Sequence, residues 1–350
     1  MNDYAILVQP GFGRADEDAA QRLCLDEFAA LARLLERAVD GIEYGTTGGV
    51  PHVAFRCDGP LSPADCVLLR RLSFHYALFE SGDWGGRRAL LPVEPIEGPY
   101  FPAHLGSLLK YAGKTNERFT RAMINLALSC CRTGWQGAPL LLDPMCGKGT
   151  TLFEALTDGM NVAGVEINRA WWQEARTYLL KFLERGRYKH RTAHETVPDS
   201  RGRKAGDVLL LTTANNRAAY DAGDTRALRL VHGDSRQTAL FFKRASVDLL
   251  VCDLPYGVQH EGKGASGRED LAALLIQCLP GWATVMKPGG SAVLSFNDHT
   301  LPRAAVEEAF ARHGFDVLHD PPYGGCPHRV DQGIRRDFVV AVKVGGAALV

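Results

Sequence analysis

The 350-residue chain has 40 basic and 40 acidic residues, so its formal net charge is zero, and 46% of its residues are hydrophobic. This is the composition of a globular protein long enough for two domains, and the neutral charge argues against non-specific wrapping of nucleic acid. No apolar run approaches the ~20 residues that span a bilayer, and the first residues lack a secretion signal. The nine cysteines contain no Cys-x-x-Cys pair, which argues against a zinc site or a disulfide framework. We therefore expect a cytoplasmic protein without a metal ion.

The first 81 residues predict a small α+β domain in which strand, helix, strand and helix follow one another. Apolar residues at helical spacing predict the first helix over residues 16–39, with Asp16 able to cap its start. The second helix is predicted over residues 62–79. The run over 82–103 is rich in glycine, arginine and proline, and it predicts a linker.

From residue 104 onward, buried strands alternate with amphipathic helices. The last two predicted strands are joined by a loop without a crossover helix. Because parallel strands need a crossover of helix length, we expect the last strand to run antiparallel. The fold class predicted is α/β, with a seven-stranded Rossmann-like sheet of the class I methyltransferase type. Its strands are predicted at 140–142, 162–165, 228–231, 247–252, 291–296, 315–318 and 338–342.

The segment 185–227 interrupts this alternation and is predicted as a polar, basic insertion with one strand, at 208–212. Its first part, up to Lys204, has seven Lys or Arg residues against two acidic ones. A connection this long inside a compact domain is usually functional or disordered. One interpretation is a solvated loop. The alternative is a phosphate-contacting insertion that would bind substrate through Arg187, Lys189 and Arg191.

Residues 140–151 predict a ligand-binding corner made of a strand, a glycine loop and a helix start. Gly147 and Gly149 let a ligand approach the backbone, and the helix start offers unpaired N–H groups. A Walker-type phosphate loop is excluded because Lys148 lies between the glycines, and the dinucleotide fingerprint fails because Leu152 replaces its third glycine. The interpretation that fits is the S-adenosylmethionine loop Asp-Pro-x-Cys-Gly-x-Gly-Thr. Its predicted cofactor-binding residues are Asp143, Pro144, Cys146, Gly147, Gly149 and Thr150.

Acidic residues also end the following strands, and ligands of open α/β sheets bind where strands end. Glu166 lies 19 residues after Gly147. An acidic residue at about this spacing accepts the hydroxyl groups of the ribose in nucleotide-binding sheets. Asp234, at the end of the next predicted strand in the alternation, is well placed for the adenine amino group.

The strand over 247–252 ends in Asp253-Leu254-Pro255-Tyr256. This sequence resembles the Asn/Asp-Pro-Pro-Tyr motif of amino-group methyltransferases, with leucine at its second position. An exocyclic amine is a poor nucleophile because its lone pair is delocalised into the ring. Acceptors from the Asp253 side chain and the Leu254 carbonyl would localise that lone pair, while Pro255 stiffens the loop and Tyr256 supplies a stacking face.

The loop and this second motif together resemble the tRNA guanosine N2-methyltransferases, whose members usually carry an N-terminal THUMP domain. Residues 122–127 also match the lead-in helix of that family. The resemblance makes 104–350 a methyltransferase domain and tRNA the expected partner. The N-terminal region is shorter than a complete THUMP module and resembles at most its ferredoxin-like portion. The resemblance implies that the cofactor is bound by Asp143, Gly147, Gly149, Glu166 and Asp234, and that the guanine amine is held by residues 253–256, with Asp253 next to the cofactor.

Three residues before the lead-in helix, Lys114, Thr115 and Asn116, are further candidates for substrate binding. The same motif chemistry also serves N6-adenine methylation in DNA or RNA and glutamine methylation in proteins. A regulatory protein that binds S-adenosylmethionine without catalysis is the non-enzymatic alternative.

Overall fold

The computed structural model describes residues 1–10, 16–94, 98–107, 115–133, 137–255, 271–330 and 333–345. The N-terminal elements form a five-stranded antiparallel sheet in the order β2-β3-β1-β4-β5, with two helices. The succession strand, helix, strand, strand, helix, strand is that of the ferredoxin-like motif, to which the fifth strand is added. The elements are β1 (Asn2–Val8), α1 (Glu17–Ala32), β2 (Val39–Thr47), β3 (Val50–Cys57), α2 (Pro63–Leu69), β4 (His75–Trp84) and β5 (Arg87–Pro92).

Both N-terminal helices begin near the predicted residues and end earlier. The Asp16 side chain caps α1 by accepting the N–H of Ala19 at 3.0 Å. Ser62 and Asp65 form a reciprocal capping box at the start of α2. The prediction of a helix over 62–79 was wrong beyond Leu69, because its last residues pair with β1 as part of β4. Their apolar spacing fits a helix or a strand, and this pairing decides between them.

The range predicted as a linker, 82–103, contains a β-hairpin in its first half. β4 pairs with β5 up to the register Trp84↔Arg87. The two residues between them, Gly85 and Gly86, have φ values of 60° and 77°. Two positive φ angles are what the tightest hairpin turn requires. The linker prediction was wrong here because glycines that indicated flexibility instead form the turn.

The second sheet has ten strands, in the order β13-β15-β12-β11-β6-β7-β10-β9-β8 with β14 beside β15. β6, β7, β10, β11 and β12 are parallel to their neighbours in this group, and β15 is antiparallel to both β12 and β13. The elements are α3 (His104–Ser107), α4 (Glu117–Cys130), β6 (Leu140–Asp143), α5 (Thr150–Thr157), β7 (Asn161–Glu166), α6 (Arg169–Arg185), β8 (His190–Pro198), β9 (Lys204–Thr213), α7 (Arg217–Asp221), β10 (Arg226–Gly233), α8 (Thr238–Phe241), β11 (Val247–Asp253), α9 (Leu271–Val285), β12 (Met286–Asn297), α10 (Arg303–Arg312), β13 (Phe315–Leu318), β14 (His328–Arg329) and β15 (Arg335–Lys343).

The seven strands predicted for the alternation all lie in this sheet, and β8, β9 and β14 raise the count to ten. Of these three, β9 contains the strand that the sequence indicates at 208–212. Two of them, β8 and β9, come from the segment 185–227 that was predicted as an insertion. They form an antiparallel hairpin beyond β10. Leu209 and Leu211 of β9 are buried, whereas β8 is the exposed edge. The solvated-loop interpretation was wrong because an exposed edge strand has the same polar composition as a loop.

Helices cover both faces of the ten-stranded sheet. Successive strand residues face opposite sides, so Leu141 packs in the cluster that contains α4 and α6, and Leu142 packs with α9 and α10. The N-terminal part joins the first of these clusters through Leu23 and Ala30 of α1. No helix within the described residues is long and apolar enough to cross a membrane.

A buried polar cluster lies where the N-terminal part contacts α4. The Glu27 side chain of α1 is fully buried. It accepts hydrogen bonds from Asn125 Nδ2 of α4 at 2.6 Å and from the backbone N–H and the hydroxyl of Ser73. Burial raises the pKa of Glu27 to about 7, against these hydrogen bonds and the nearby Arg121, which lower it.

Candidate active site

The glycine loop connects β6 to α5 as predicted. Gly147 and Gly149 have φ values of 54° and 91°, in the left-handed region that favours glycine. The loop is held by the Cys146 N–H, which donates to Val165 O at 3.0 Å, and by the Gly149 N–H, which donates to Cys146 O at 2.8 Å. Gly149 is the N-cap residue of α5, and no side chain caps that helix. A helix N-terminus, where backbone N–H groups point outward along the axis, is a favourable position for the polar groups of a ligand.

The loop lies directly against β7 at Gly164, a residue that the sequence prediction did not include. A Cβ atom on Gly164 would lie 2.7 Å from Cys146 Sγ and 2.7 Å from Leu152 Cδ1. Only glycine allows this approach. The signal was present in the sequence, because a glycine inside a strand often marks a place where another segment comes close.

Three of the predicted acidic residues lie close to one another at the carboxyl ends of the strands. Asp143 is 3% exposed, bonds to Thr151 and accepts the N–H of Met145 at 3.0 Å. Burial raises the pKa of Asp143 to about 7, against those bonds, and the charges of Asp253 and Glu166 raise it further. Burial also raises the pKa of Glu166, which accepts the N–H of Asn168 at 2.6 Å.

This arrangement fits S-adenosylmethionine, which carries an ammonium group, a sulfonium group and ribose hydroxyls. Asp143 and Glu166 supply buried acceptors for such groups, and neighbouring carboxylates favour a cationic ligand. A Cβ added to Gly147 would meet no atom within 4 Å, so the space in front of the loop is open. Pro144 and Thr150 are buried parts of the loop and of the first turn of α5.

Asp234 follows β10 as predicted, but its carboxylate already has a partner. Arg236 donates to its Oδ2 atom from Nη2 at 2.6 Å and from Nε at 2.9 Å. Asp234 also accepts the backbone N–H of Arg236 and caps a short 3-10 helix, Ser235–Gln237. The adenine contact predicted for Asp234 would therefore share this carboxylate with Arg236, which was not predicted.

Asp253 is the last residue of β11, whose neighbour β6 leads into the glycine loop. Its Oδ2 accepts a hydrogen bond from the Thr115 hydroxyl and lies 3.7 Å from Nη2 of Arg336. Leu254 is buried, and its N–H donates to Ser295 O at 2.8 Å, which fixes the motif to β12. Pro255 is half-buried. Tyr256, the predicted stacking residue, lies outside the described residues.

Of the predicted substrate-binding residues before α4, only Thr115 and Asn116 lie within the described residues. The Thr115 hydroxyl donates to Asp253, as described above. Asn116 is exposed and caps α4 by accepting the N–H of Arg118 at 2.9 Å. Lys114 lies outside the described residues.

Arg187, Lys189 and Arg191 lie at the opposite edge of the sheet from the cofactor loop. β8 runs parallel to β10, because β9 is antiparallel to both. Its first residues therefore lie at the amino edge of the sheet, next to the end of α6. Lys189 forms an ion pair with Asp221 of α7. The structure does not bring these three basic residues together with Asp253.

Among the residues that the structure describes, no group of three or more His, Cys, Asp or Glu side chains could hold a metal ion. The buried thiol of Cys146 has a pKa raised well above its ordinary value by burial, so it packs as an apolar group within the loop.

Known proteins resemble this chain in sequence and in structure. Over 155 residues it is 30% identical to the ribosomal RNA large subunit methyltransferase K/L of Vibrio cholerae, a match that covers 42% of this chain and 20% of that protein. The chain thus spans about a fifth of the length of the curated relatives that it matches. The structure of TrmN from Thermus thermophilus aligns with a TM-score of 0.47 and 16% identity, over 98% of this chain and 100% of that one.

A magnesium protoporphyrin IX methyltransferase from Synechocystis, solved with bound S-adenosylmethionine, aligns with a TM-score of 0.38 and 14% identity, over 67% of this chain and 86% of that one. The model of the RMKL-like methyltransferase domain family matches residues 109–317, which include the glycine loop and the Asp253 motif. This match covers more than half of the chain. The protein therefore belongs to the family of RMKL-like methyltransferase domains, and its cofactor is S-adenosylmethionine, as the glycine loop predicts.

Proposed function

We propose that the protein transfers a methyl group from S-adenosylmethionine to an exocyclic amino group of an RNA base, with guanine N2 in tRNA as the first candidate. The observation that carries the proposal is the position of Asp253. This carboxylate ends the strand next to the glycine loop, and Thr115 and Arg336 contact its Oδ2 atom. A carboxylate accepts hydrogen bonds from an amine and cannot donate them.

In this mechanism the residues of the chain hold and orient the reactants. S-adenosylmethionine, when bound, supplies an electrophilic methyl group. Asp143, Gly147 and Glu166 would hold it at the carboxyl edge of β6 and β7. The Asp253 carboxylate would accept an N–H of the base amine and direct the nitrogen lone pair toward the methyl group. The nitrogen carries one extra proton after the transfer, and the Asp253 carboxylate would accept that proton.

RNA is the proposed substrate class because of the family and the motif together. The name of the Vibrio cholerae relative specifies ribosomal RNA. The combination of the glycine loop with Asp253-Leu254-Pro255-Tyr256 resembles the tRNA guanosine N2-methyltransferases. The name of the relative supports RNA as the substrate class, and the motif resemblance supports a base amine and tRNA.

The test is transfer of a tritiated methyl group from S-adenosylmethionine to tRNA, ribosomal RNA and DNA in separate reactions, followed by digestion to nucleosides. We expect the label in RNA, as N2-methylguanosine. Label in N6-methyladenosine would keep the amino-group chemistry and change the base. Label confined to DNA, to protein or to a base carbon would overturn the proposal.

The variant Asp253→Ala connects the chemistry to the site. It should abolish methyl transfer and leave the affinity for S-adenosylmethionine, measured by calorimetry, near that of the parent. Asp253→Asn keeps one acceptor oxygen and should retain measurable activity. Loss of cofactor binding in Asp253→Ala would contradict the role assigned to this residue.

A further inference from the structure

We propose that Arg336 is a positioning residue for Asp253, which it holds in the orientation needed to accept the substrate amine. The inference rests on the role of Asp253 in the proposed function. Arg336 lies 83 positions away in the sequence, on the last strand, β15. No motif connects these two residues, and only the fold brings them together.

The Arg336 side chain lies on the buried side of β15. Adjacent strand residues face opposite sides, and Arg335 points outward, where its Nε forms an ion pair with Asp298 at 2.6 Å. Arg336 is only 5% exposed. A buried arginine is rare unless its charge is paired. The charge of Arg336 lies 3.7 Å from Oδ2 of Asp253.

Helix α4 and the residue before its cap complete the support of Asp253. The guanidinium carbon of Arg336 lies 4.9 Å from the ring centroid of Phe119, in the first turn of α4. The hydroxyl of Thr115, just before that helix, donates to the same Oδ2 atom of Asp253. Thr115 and Arg336 therefore both face one carboxylate oxygen at the end of β11, and Phe119 of α4 lies against the arginine.

These contacts restrict the rotation of the Asp253 carboxylate. A planar guanidinium that lies against an aromatic ring has few orientations. Because its N–H groups then point in fixed directions, the carboxylate that it faces also has fewer favourable orientations. An acceptor that must direct a lone pair toward a methyl group depends on such restriction, because a displacement of about 1 Å can lower a rate ~100-fold. Arg336 thus acts on the reaction through Asp253.

The first experiment compares Arg336→Met with Arg335→Met, which removes the neighbouring charge on the outer side of the same strand. Methyl transfer to tRNA and ribosomal RNA is measured together with calorimetric binding of S-adenosylmethionine. Arg336→Met should lower kcat ~10- to 100-fold, with cofactor affinity and RNA KM within about threefold of the parent. Arg336→Lys should recover part of the lost rate because it keeps the charge. Arg335→Met should leave kcat unchanged. Equal losses in Arg335→Met and Arg336→Met would overturn the inference.

A double-mutant cycle separates positioning from a general structural role. If Arg336 acts through Asp253, adding Arg336→Met to Asp253→Asn should lower kcat less than threefold further. The full 10- to 100-fold loss in the Asp253→Asn background would show that Arg336 acts independently and would overturn the inference. If Arg336→Met fails to fold, Thr115→Val, with Thr115→Ser as the control that keeps the hydroxyl, tests the other contact to the same oxygen in the same cycle.

A crystallographic readout needs no RNA substrate. In Arg336→Met the Asp253 carboxylate should rotate away from its position in the parent protein, whereas in Arg335→Met it should not. An unchanged carboxylate in Arg336→Met would overturn the inference even if RNA methylation is observed. If no RNA accepts the methyl group and the carboxylate still rotates, the proposed function fails while the positioning contact stands.

Discussion

Glu27 in α1 and Asp143 in the glycine loop are both almost fully buried, and burial raises the pKa of each to about 7. Their neighbours differ. Glu27 is surrounded by donors, with Ser73 and Asn125 providing three hydrogen bonds. Asp143 receives the N–H of Met145 and a bond from Thr151, and it also lies near two further carboxylates.

The difference shows which kind of buried carboxylate indicates a binding site. A raised pKa alone does not identify a functional site, because structural hydrogen-bond networks also shift pKa values in this direction. The donors around Glu27 satisfy it and connect the N-terminal part to α4. The like charges near Asp143 are an unfavourable arrangement in the protein alone, and the cationic groups of S-adenosylmethionine would relieve it.

The largest expected effect is on cofactor binding. Asp143→Ala should weaken the binding of S-adenosylmethionine ~10- to 100-fold, since a hydrogen bond to a charged group contributes about 1.5–3 kcal/mol and 1.4 kcal/mol corresponds to tenfold. Isothermal titration calorimetry measures the change. Glu27→Gln is the matched control at the other buried carboxylate and should bind the cofactor as the parent does. Parent-like binding by Asp143→Ala would remove the distinction between the two residues.

Folding stability should respond in the reverse order. Glu27→Ala leaves the Ser73 N–H and the Asn125 amide without their acceptor, and unsatisfied buried groups cost about 1–3 kcal/mol each. We expect the free energy of unfolding, measured in urea at pH 5.5, to fall by about 3 kcal/mol. Glu27→Gln should change it by less than about 1 kcal/mol. Its oxygen can keep two of the bonds, and its amide can donate to the Ser73 hydroxyl. A smaller loss in Glu27→Ala than in Asp143→Ala would contradict this ordering.

The raised pKa of Glu27 predicts that folding stability depends on pH with a sign opposite to that of an ordinary ion-paired acid. The pKa of Glu27 is raised from 4.5 to about 7, so the folded state binds its proton more tightly than the unfolded state. Its contribution to stability is full below pH 4.5 and is lost as the pH rises through 7. Relative to Glu27→Gln, the parent should lose about 2 kcal/mol between pH 5.5 and pH 8. Parallel urea titrations at both pH values test this, and an equal pH response of the two proteins would contradict the assignment.

The sequence predicted the parts of the site that are continuous in the chain. Buried apolar runs already mark the strands that Glu166 and Asp253 end and that the glycine loop and Asp234 follow, and a parallel sheet brings strand ends to one edge. Contacts between distant segments could not be read in this way. Arg336 reaches Asp253 from the last strand, and Asn125 reaches Glu27 across two parts of the chain.

The fold was predictable where one periodicity dominates and was missed where two compete. Apolar residues in the segment now divided between α2 and β4 fit a helix or a strand, and pairing with β1 decides. In the hairpin of β8 and β9, the edge strand is exposed and polar, so its sequence resembles that of a loop. The glycines between β4 and β5 indicated flexibility because their turn geometry depends on the strands that they join.

The smallest effect on stability and on RNA binding is expected for charges that lie near neither Glu27 nor Asp143. Arg187 and Arg191 are exposed at the amino edge of the sheet. Within β8, the residues from His190 to Thr196 alone span ~20 Å at about 3.3 Å per residue. These charges are therefore remote from the cofactor edge. The double variant Arg187→Ala/Arg191→Ala should change the free energy of unfolding by less than about 0.5 kcal/mol. It should also change the KM for RNA less than twofold, with an unchanged salt dependence of RNA binding. A flatter salt dependence would mean that phosphates reach the far edge, and it would restore the substrate role that the basic sequence predicts.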